Sequence, residues 1–276
     1  MKNKLILSPL ALLLISGLFI LLFSCRRDED SDLDNSVSSE IGIFENIVTD
    51  ADNMLGQVWQ GDGTVGQRLS SAPSGVNALL CANVLLDTVA QNVIIDFGNG
   101  CVGLDGRTRA GRIQITYTGP YFTSGSVHTM TFDSFYVDTR HIEGTRIITN
   151  TGFNSSNYMT WSVQAINMRM TLTNGYWRSW NSNRTREMTQ GFGDNDWQND
   201  AYRINGTGNG TNSNSQNFSA VITNILRTNS CRWIVSGTIS ITPAGRATRT
   251  IDFGSGACDD QAIVSIGNNS RTITLR

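Results

Sequence analysis

The pattern of hydrophobic and polar positions divides this chain of 276 residues into four segments. Residues 5 to 23 form one continuous apolar run, and residues 26 to 37 are acidic and polar with almost nothing to bury. Residues 38 to 59 carry apolar side chains at intervals of three and four, the period of an amphipathic helix. From about residue 76, apolar and polar side chains alternate in short runs, the period of β-strands. The pattern predicts one short amphipathic helix followed by a single β domain over residues 60 to 276.

The predicted helix has an apolar and a polar side. We expect the apolar side to dock on the β domain and the helix to end near Gly56, since glycine commonly terminates helices. The polar side carries Glu45, Asp50 and Asp52. A helix lying on a lipid surface is the alternative, but these acidic side chains are poorly suited to anionic lipid.

The β region reads as a series of short strands separated by turn signals. The predicted strands are residues 84–95, 112–118, 129–137, 145–150, 160–173, 203–205, 217–226, 232–242, 248–253, 262–266 and 271–275. The turn signals are Asp105-Gly106, Asn174-Gly175, Asn205-Gly206, Asn209-Gly210, Ala244-Gly245 and residues 267–269. No long helix is predicted after residue 60 that would serve as a crossover. The fold class is therefore all-β, an antiparallel meander forming a sandwich or a curved sheet.

The amino-terminal segment has the organisation of a lipoprotein signal. Lys2 and Lys4 precede the apolar run, Ser24 closes it, and Cys25 follows. We expect residues 1–24 to be a cleaved signal peptide, Cys25 to be acylated, and residues 25–37 to be an acidic tether. The alternative is an uncleaved membrane-spanning anchor, which Pro9, Ser16 and Gly17 weaken. The protein is then anchored to a bilayer by lipid and does not span it.

Charge excludes one class of partner. Without Lys2 and Lys4 the 21 basic residues fall to 19, all of them arginine, against 23 acidic residues. Nucleic-acid binding depends on clustered positive charge, and no basic tract exists beyond Arg26-Arg27. We therefore expect no nucleic-acid partner.

Four cysteines remain once Cys25 is assigned to the lipid. An even number in an exported chain favours two disulfides, and three pairings are open. The local pairing is favoured, because Cys81 with Cys101 and Cys231 with Cys258 bracket similar segments. Four reduced, buried thiols are the alternative.

An internal repeat marks the two ends of the β domain. Residues 93–101 and residues 249–258 share Ile-Asp-Phe-Gly followed by a glycine-rich turn and a cysteine. Each copy reads as a strand running into a turn that a disulfide holds. With two copies the repeat indicates two pseudo-similar ends and not a solenoid.

The repeated turn and several other motifs of the chain resemble those of a known protein family. Together with residues 105–111, 143–146, 180–182 and 231–238, the repeated turn resembles a family of uncharacterised lipoproteins of Bacteroidota, over nearly all of residues 40–276. In that phylum an acidic run after the lipidated cysteine is similar to a signal for export to the outer face of the outer membrane. The resemblance implies a β-rich body at the cell surface, with the periplasmic face as the alternative. It brings no catalytic residues.

Catalytic motifs are missing from the sequence. His128 and His141 are the only histidines, and neither a His-Glu-x-x-His nor a Gly-x-Ser-x-Gly motif is present. His128 alternates with threonines and is expected to be a strand residue. The enzymatic alternative is a polysaccharide-acting hydrolase with paired carboxylates, supplied by Glu143 with Glu187 or Asp133.

Two further groups of residues, three aspartates and two tryptophans, are weak candidates for ligand binding. Asp194, Asp196 and Asp200 offer oxygen atoms to calcium, but the glycine and the bidentate glutamate of a calcium loop are missing. Trp177 and Trp180 are candidates for ligand binding by ring stacking. Trp180 shares a strand face with Tyr176 while Trp177 points away, so core packing is favoured. No cofactor and no metal are expected.

The sequence thus predicts a lipid-anchored outer-membrane lipoprotein that acts as a non-catalytic structural or recognition module. Its partners are the membrane, through the anchor, and a glycan or an envelope protein. The alternatives are the polysaccharide hydrolase and an envelope assembly accessory.

Overall fold

A computed structural model describes residues 36–59, 78–194 and 196–275 of the chain. The predicted signal peptide, Cys25 and the tether up to residue 35 lie outside the described residues. Within these ranges one long helix, α1, spans Ser36–Trp59, so it begins two residues before the predicted start and continues past Gly56. Short 3-10 helices occupy Ala78–Cys81 and Trp197–Asn199.

In the described part of the chain, fourteen strands make up one antiparallel sheet, so the fold is all-β. The strands are β1 Asn83–Asp87, β2 Asn92–Asp96, β3 Cys101–Val102, β4 Thr108–Tyr117, β5 Val127–Val137, β6 Arg140–Phe153, β7 Met159–Thr171, β8 Trp177–Gln190, β9 Ala201–Asn212, β10 Asn217–Thr228, β11 Ile234–Pro243, β12 Arg249–Ser255, β13 Gln261–Ile266 and β14 Asn269–Thr274. Sequential strands pair, except that β2 pairs with β4 and the short β3 pairs only with β4. The alternating pattern predicted this meander.

The sheet is strongly curved around α1. Acidic side chains of the helix contact strands far apart in the strand order: Arg109 lies on β4, Arg146 on β6, Arg184 on β8 and Arg227 on β10. One helix touches so many strands only when the sheet wraps around it. The curved sheet is therefore correct, and the sandwich is not formed by the described residues.

A band of β-bulges produces this curvature. The pairing register shifts where Gly111 of β4 meets β5, where Gly144 of β6 meets β7, and where Gly237 of β11 meets β10. Gly111 has φ +77°, and a Cβ there would lie 1.9 Å from the carbonyl oxygen of Ser134. Bulges bend a strand and increase its twist, so long strands can coil around a central element.

Three predictions of local structure were wrong. Residues 84–95 form two strands, because the carboxylate of Asp87 accepts hydrogen bonds from the amides of Val89 and Ala90 and closes a turn. β8 was not predicted as a strand. Asn205-Gly206 and Asn209-Gly210 lie within β9 and are not turns.

The glycines of β9 are required by packing. A Cβ at Gly208 would lie 2.8 Å from the Trp180 ring, and one at Gly210 would lie 2.5 Å from the Phe218 ring. The glycines of this strand leave the space that the two aromatic rings fill.

The repeated motif has the same local structure at both ends of the sheet. The carboxylate of Asp96 accepts a hydrogen bond of 2.8 Å from the amide of Gly98, and Asp252 accepts one of 2.9 Å from Gly254. Phe97 and Phe253 point into the core. Disulfides join Cys81 to Cys101 and Cys231 to Cys258, which is the local pairing that the spacing favoured.

Candidate functional site

The polar side of α1 is buried inside the sheet. Glu45, Asp50 and Asp52 are 2%, 7% and 2% exposed, and the residues around them from 41 to 56 are buried on every side of the helix. The amphipathic pattern predicted that only the apolar side of the helix would pack on the β domain. In the structure both sides are buried. Its acidic side chains must be compensated inside the fold, since an unpaired buried charge is costly.

Asp50 lies among three arginines. Arg109 donates hydrogen bonds of 2.6 Å to both Asp50 and Asp105, while Arg227 and Arg107 lie 3.6 Å and 3.8 Å from the Asp50 carboxylate. Burial raises the pKa of Asp50, but the charges of these arginines outweigh that effect and hold the pKa below its usual value. Burial lowers the pKa of Arg227 to about 10, although Asp50 opposes this.

Further arginines fasten the rest of the helix. Arg146 binds Asp52 through two hydrogen bonds of 2.8 Å and 2.5 Å, and Arg184 is paired with Glu45. Arg186 donates a hydrogen bond of 2.6 Å to Asn53 and stacks on Tyr202, with its guanidinium carbon 3.6 Å from the ring centroid. Arg178 binds Glu40 at 2.5 Å near the amino end of the helix. The helix and its arginines thus fill the interior with structural ion pairs.

Sequence reasoning missed these arginines, although a signal was present. In β8, Arg178, Arg184 and Arg186 share the alternation of Trp180 and Met188, which face inward. Arginine in the apolar phase of a strand indicates a buried guanidinium that needs a carboxylate partner. The acidic side of α1 supplies that partner.

His128 is a structural residue of the interior, on β5. It packs between Tyr117, with ring centroids 5.8 Å apart, and Tyr121, at 5.4 Å, and beside Trp59 at the end of α1. Burial lowers the pKa of His128 to about 4. His141, in contrast, lies toward the outside, stacked on Tyr136 and 3.6 Å from Glu143.

The two tryptophan candidates lie on opposite faces of β8. Trp180 is 3% exposed and packs against Phe218, so this candidate for ligand binding was wrong. Trp177 is half-buried, and the guanidinium of Arg169 covers it at 4.4 Å from the ring centroid. The expectation of core packing was right for Trp180.

Glu143 and Glu187, the first candidate pair of a hydrolase, are not assembled together. Glu143 and Glu187 lie opposite Arg169 and Thr160, which are nine residues apart on β7. That spacing corresponds to about 30 Å along a strand. Asp133, the second candidate partner, lies on β5 between Thr131 and Phe135, which pair with Thr145 and Ile142 on either side of Glu143. Its carboxylate is 3.8 Å from Arg112.

Asp133 does line a shallow depression of about 640 Å³ together with Asp96 and Arg112. The hydrogen bonds from Arg112 and from the amide of Gly98 lower the pKa of Asp96. A general acid for glycoside hydrolysis needs a raised pKa, so Asp96 does not suit that role.

The calcium candidates are engaged by their own loop. Asp194 accepts hydrogen bonds from Asp196 and Asn199, and Asp196 accepts one from the amide of Gln198. Asp200 is buried and accepts a hydrogen bond from the Tyr202 hydroxyl. Among the described residues, no three histidine, cysteine or carboxylate side chains are grouped to hold a metal ion.

The outer face of β7, β8 and β9 carries a shallow groove of about 390 Å³, which we call the outer groove. Its outward side chains are Gln164, Ile166, Asn181, Asn183, Thr207 and Asn209. Gln164 pairs with Asn183 across β7 and β8, and Asn183 pairs with Thr207 across β8 and β9. Neighbouring strands are about 4.8 Å apart, so these polar groups form a row with that spacing.

Most of the outer groove is free to bind. Asn181 is used by the fold, because its side-chain oxygen accepts a hydrogen bond of 2.8 Å from the amide of Asn167 in a bulge. Gln164, Asn183, Thr207 and Asn209 make no side-chain hydrogen bond within the part of the chain that the structure describes. The groove contains no charged side chain, and each amide offers both donors and an acceptor.

Within residues 36–59, 78–194 and 196–275, no helix has the length and apolar character needed to cross a bilayer. Comparisons of the chain with known protein families, with curated proteins and with solved structures give no match.

Proposed function

We propose that this protein is a lipid-anchored outer-membrane lipoprotein and a non-catalytic recognition module, and that the outer groove binds an uncharged glycan. The observation that carries the proposal is the row of unengaged amides and a hydroxyl over β7 to β9. Sugar hydroxyls both donate and accept hydrogen bonds, as side-chain amides do, so the two surfaces are complementary. The absence of charge in the groove suits a neutral ligand.

The interior supports a non-catalytic role. α1 and its ion pairs occupy the space in which the curved sheet would otherwise hold a substrate. Glu143 and Glu187 are separated along β7, and Asp133 lies beside Arg112. Recognition is therefore assigned to the outward surface.

The anchor rests on the sequence alone. The apolar run, Ser24 and Cys25 support acylation, and the acidic residues after Cys25 support export to the cell surface. Radiolabelled palmitate tests this directly: we expect label on the full-length protein and none on a Cys25→Ser variant. Label on both forms, or on neither, contradicts the anchor.

A glycan array tests the recognition role. The full-length Cys25→Ser protein, produced in an oxidising compartment, is applied to an array of neutral and acidic glycans. We expect binding to neutral glycans that is lost when Asn183 and Asn209 are both changed to alanine. The matched control is Gln114→Ala with Thr116→Ala, since these outward positions on β4 lie outside the groove. Equal binding by the groove variant and the control, or no binding by the unaltered protein, contradicts the proposal.

The same array separates recognition from hydrolysis. Each bound glycan is incubated with the protein and its products are analysed by mass spectrometry. We expect the glycan to be recovered intact. Cleavage that is lost on Asp133→Asn or Glu143→Gln substitution would establish the hydrolase instead.

A further inference from the structure

Three phenylalanines from separate segments meet at one rim of the sheet. Phe122 lies in the β4–β5 loop, Phe153 ends β6, and Phe192 follows β8. The rings of Phe153 and Phe192 are 5.1 Å apart at an interplanar angle of 89°, and Phe122 lies 6.2 Å from Phe192. We call these three residues the rim cluster. Phe153 and Phe192 form a right-angled corner.

The backbone holds this corner in place. Gly152 precedes Phe153 with φ +80°, and Gly191 and Gly193 flank Phe192 with φ +94° and +83°. A Cβ at Gly191 would lie 2.1 Å from the carboxylate of Asp200, so this position requires glycine. The two rings are therefore presented by a fixed backbone conformation.

Both rings of the corner are open to solvent. Phe153 is 51% exposed and Phe192 is 46% exposed, whereas Trp161, which packs against Phe122, is fully buried. Paired, half-exposed aromatic rings typically mark a binding surface. Their area is small compared with a stable protein interface, so the corner suits an anchor side chain of a short segment.

Negative charge lies beside the corner. Asp194 and Asp196 follow Phe192 and are exposed, and no arginine is paired with either within the described residues. Hydrogen bonds from Asn199 and from the backbone lower the pKa of Asp194, so it stays ionised at neutral pH. The nearby Arg203 is 3.7 Å from Glu187. The free charge at this rim is therefore acidic.

We propose that the rim cluster is a docking site for a short peptide segment of a protein partner, one that carries an aromatic or large aliphatic side chain next to lysine or arginine. The apolar side chain packs into the corner between Phe153 and Phe192, and the cation lies beside Asp194 and Asp196. The acidic side chains attract a cationic segment and repel anionic lipid. The site shares no residue with the outer groove, so it stands apart from the proposed glycan binding.

Fluorescence anisotropy with synthetic peptides tests this site. The probe is a labelled nine-residue peptide of alternating lysine and tryptophan, with one matched peptide in which glutamate replaces lysine and another in which alanine replaces tryptophan. The full-length Cys25→Ser protein is titrated at low ionic strength. We expect the lysine–tryptophan peptide to bind at least about tenfold more tightly than either matched peptide.

Protein variants then locate the binding. Phe153→Ala with Phe192→Ala should weaken it about tenfold, and Asp194→Asn with Asp196→Asn about fivefold, with a loss of salt dependence. The asparagine variant keeps the side-chain oxygens that accept the loop hydrogen bonds, so it tests charge without unfolding the loop. The control is Leu85→Ala with Val89→Ala, two apolar residues that are 56% and 94% exposed, in β1 and in the turn after it.

The proposal is overturned by any of three results: equal affinity for the lysine and glutamate peptides, undiminished affinity of the asparagine variant, or an equal loss in the control. Binding of glycans or of phosphatidylglycerol vesicles that depends on Phe153 and Phe192 would assign the rim cluster to another ligand and would also overturn it.

Discussion

The two faces of the same sheet use polar side chains in opposite ways. On the inner face, Arg109, Arg146 and Arg184 are buried and bind carboxylates of α1. On the outer face of β7 to β9, Asn183 and Thr207 are uncharged, exposed and unengaged. The charge of the inner face holds the helix, and the neutral polar groups of the outer face are available to a ligand. Residue type alone does not show whether a polar side chain stabilises the fold or is available to a ligand. Its burial and its partners do.

The inner face should respond most strongly to the loss of a charge. An Asp50→Ala substitution leaves Arg109, Arg227 and Arg107 without their shared carboxylate. We expect the free energy of unfolding, measured by urea denaturation, to fall by about 3 to 5 kcal/mol.

The matched outer-face variant is Asp133→Ala, which removes an ion pair with Arg112 whose side chain is 52% exposed. Its cost should stay below about 1 kcal/mol. Similar losses in the two variants would remove the distinction between the faces.

Buried His128 on the inner face makes the stability of the folded protein depend on pH. The pKa of His128 is about 4 in the folded protein, against 6.5 for an unperturbed histidine. The unfolded chain therefore binds this proton first as the pH falls below 6.5, and stability is lost between pH 6.5 and 4. The loss attributable to His128 is about 3 kcal/mol.

Urea denaturation at several pH values measures this slope. We expect it to become shallower in His128→Gln. A slope that His128→Gln leaves intact would refute the burial argument.

Substitution at one of the bulges that curve the sheet should have a smaller effect on stability. Gly111→Ala introduces a Cβ at φ +77° and 1.9 Å from the Ser134 carbonyl oxygen. We expect a loss of about 1 to 3 kcal/mol in the free energy of unfolding. Gly245→Ala is the control with open space around it, although its φ of +71° also disfavours alanine. Thermal unfolding compares the two, and a control that loses more stability than Gly111→Ala contradicts the role of the bulge.

The outer groove should contribute least to stability. Asn183→Ala with Asn209→Ala removes exposed, unengaged side chains, so the free energy of unfolding should change by less than about 0.5 kcal/mol. Differential scanning calorimetry checks this, and a large loss would indicate a structural role for the groove. Loss of glycan binding at unchanged stability is the expected signature of a recognition surface.

Much of the fold was predictable because it depends on local pattern. Alternation predicted the antiparallel meander, the three-to-four spacing predicted α1, and cysteine spacing favoured the disulfides that the structure contains. The bulges were not predictable, because the register at Gly111 is set by the neighbouring strand.

The candidate sites were less accessible to sequence reasoning. Arg146 and Asp52 are 94 residues apart, so neither reveals its partner locally. Gln164, Asn183 and Thr207 come together only through strand pairing, and the corner of Phe153 and Phe192 joins the end of β6 to the segment after β8. Trp180 was a candidate because its ring type suits ligands, yet its strand phase buries it.

The most direct test of the account is native-state hydrogen exchange, followed by mass spectrometry, on the full-length oxidised protein at neutral pH. If α1 is enclosed by the sheet and fastened by buried ion pairs, amides of residues 41–56 will exchange as slowly as those of β6 and β7 and will become exchangeable together with them. Rapid exchange of the helix while these strands stay protected would contradict the enclosed, charge-bound helix on which the division between the two faces depends.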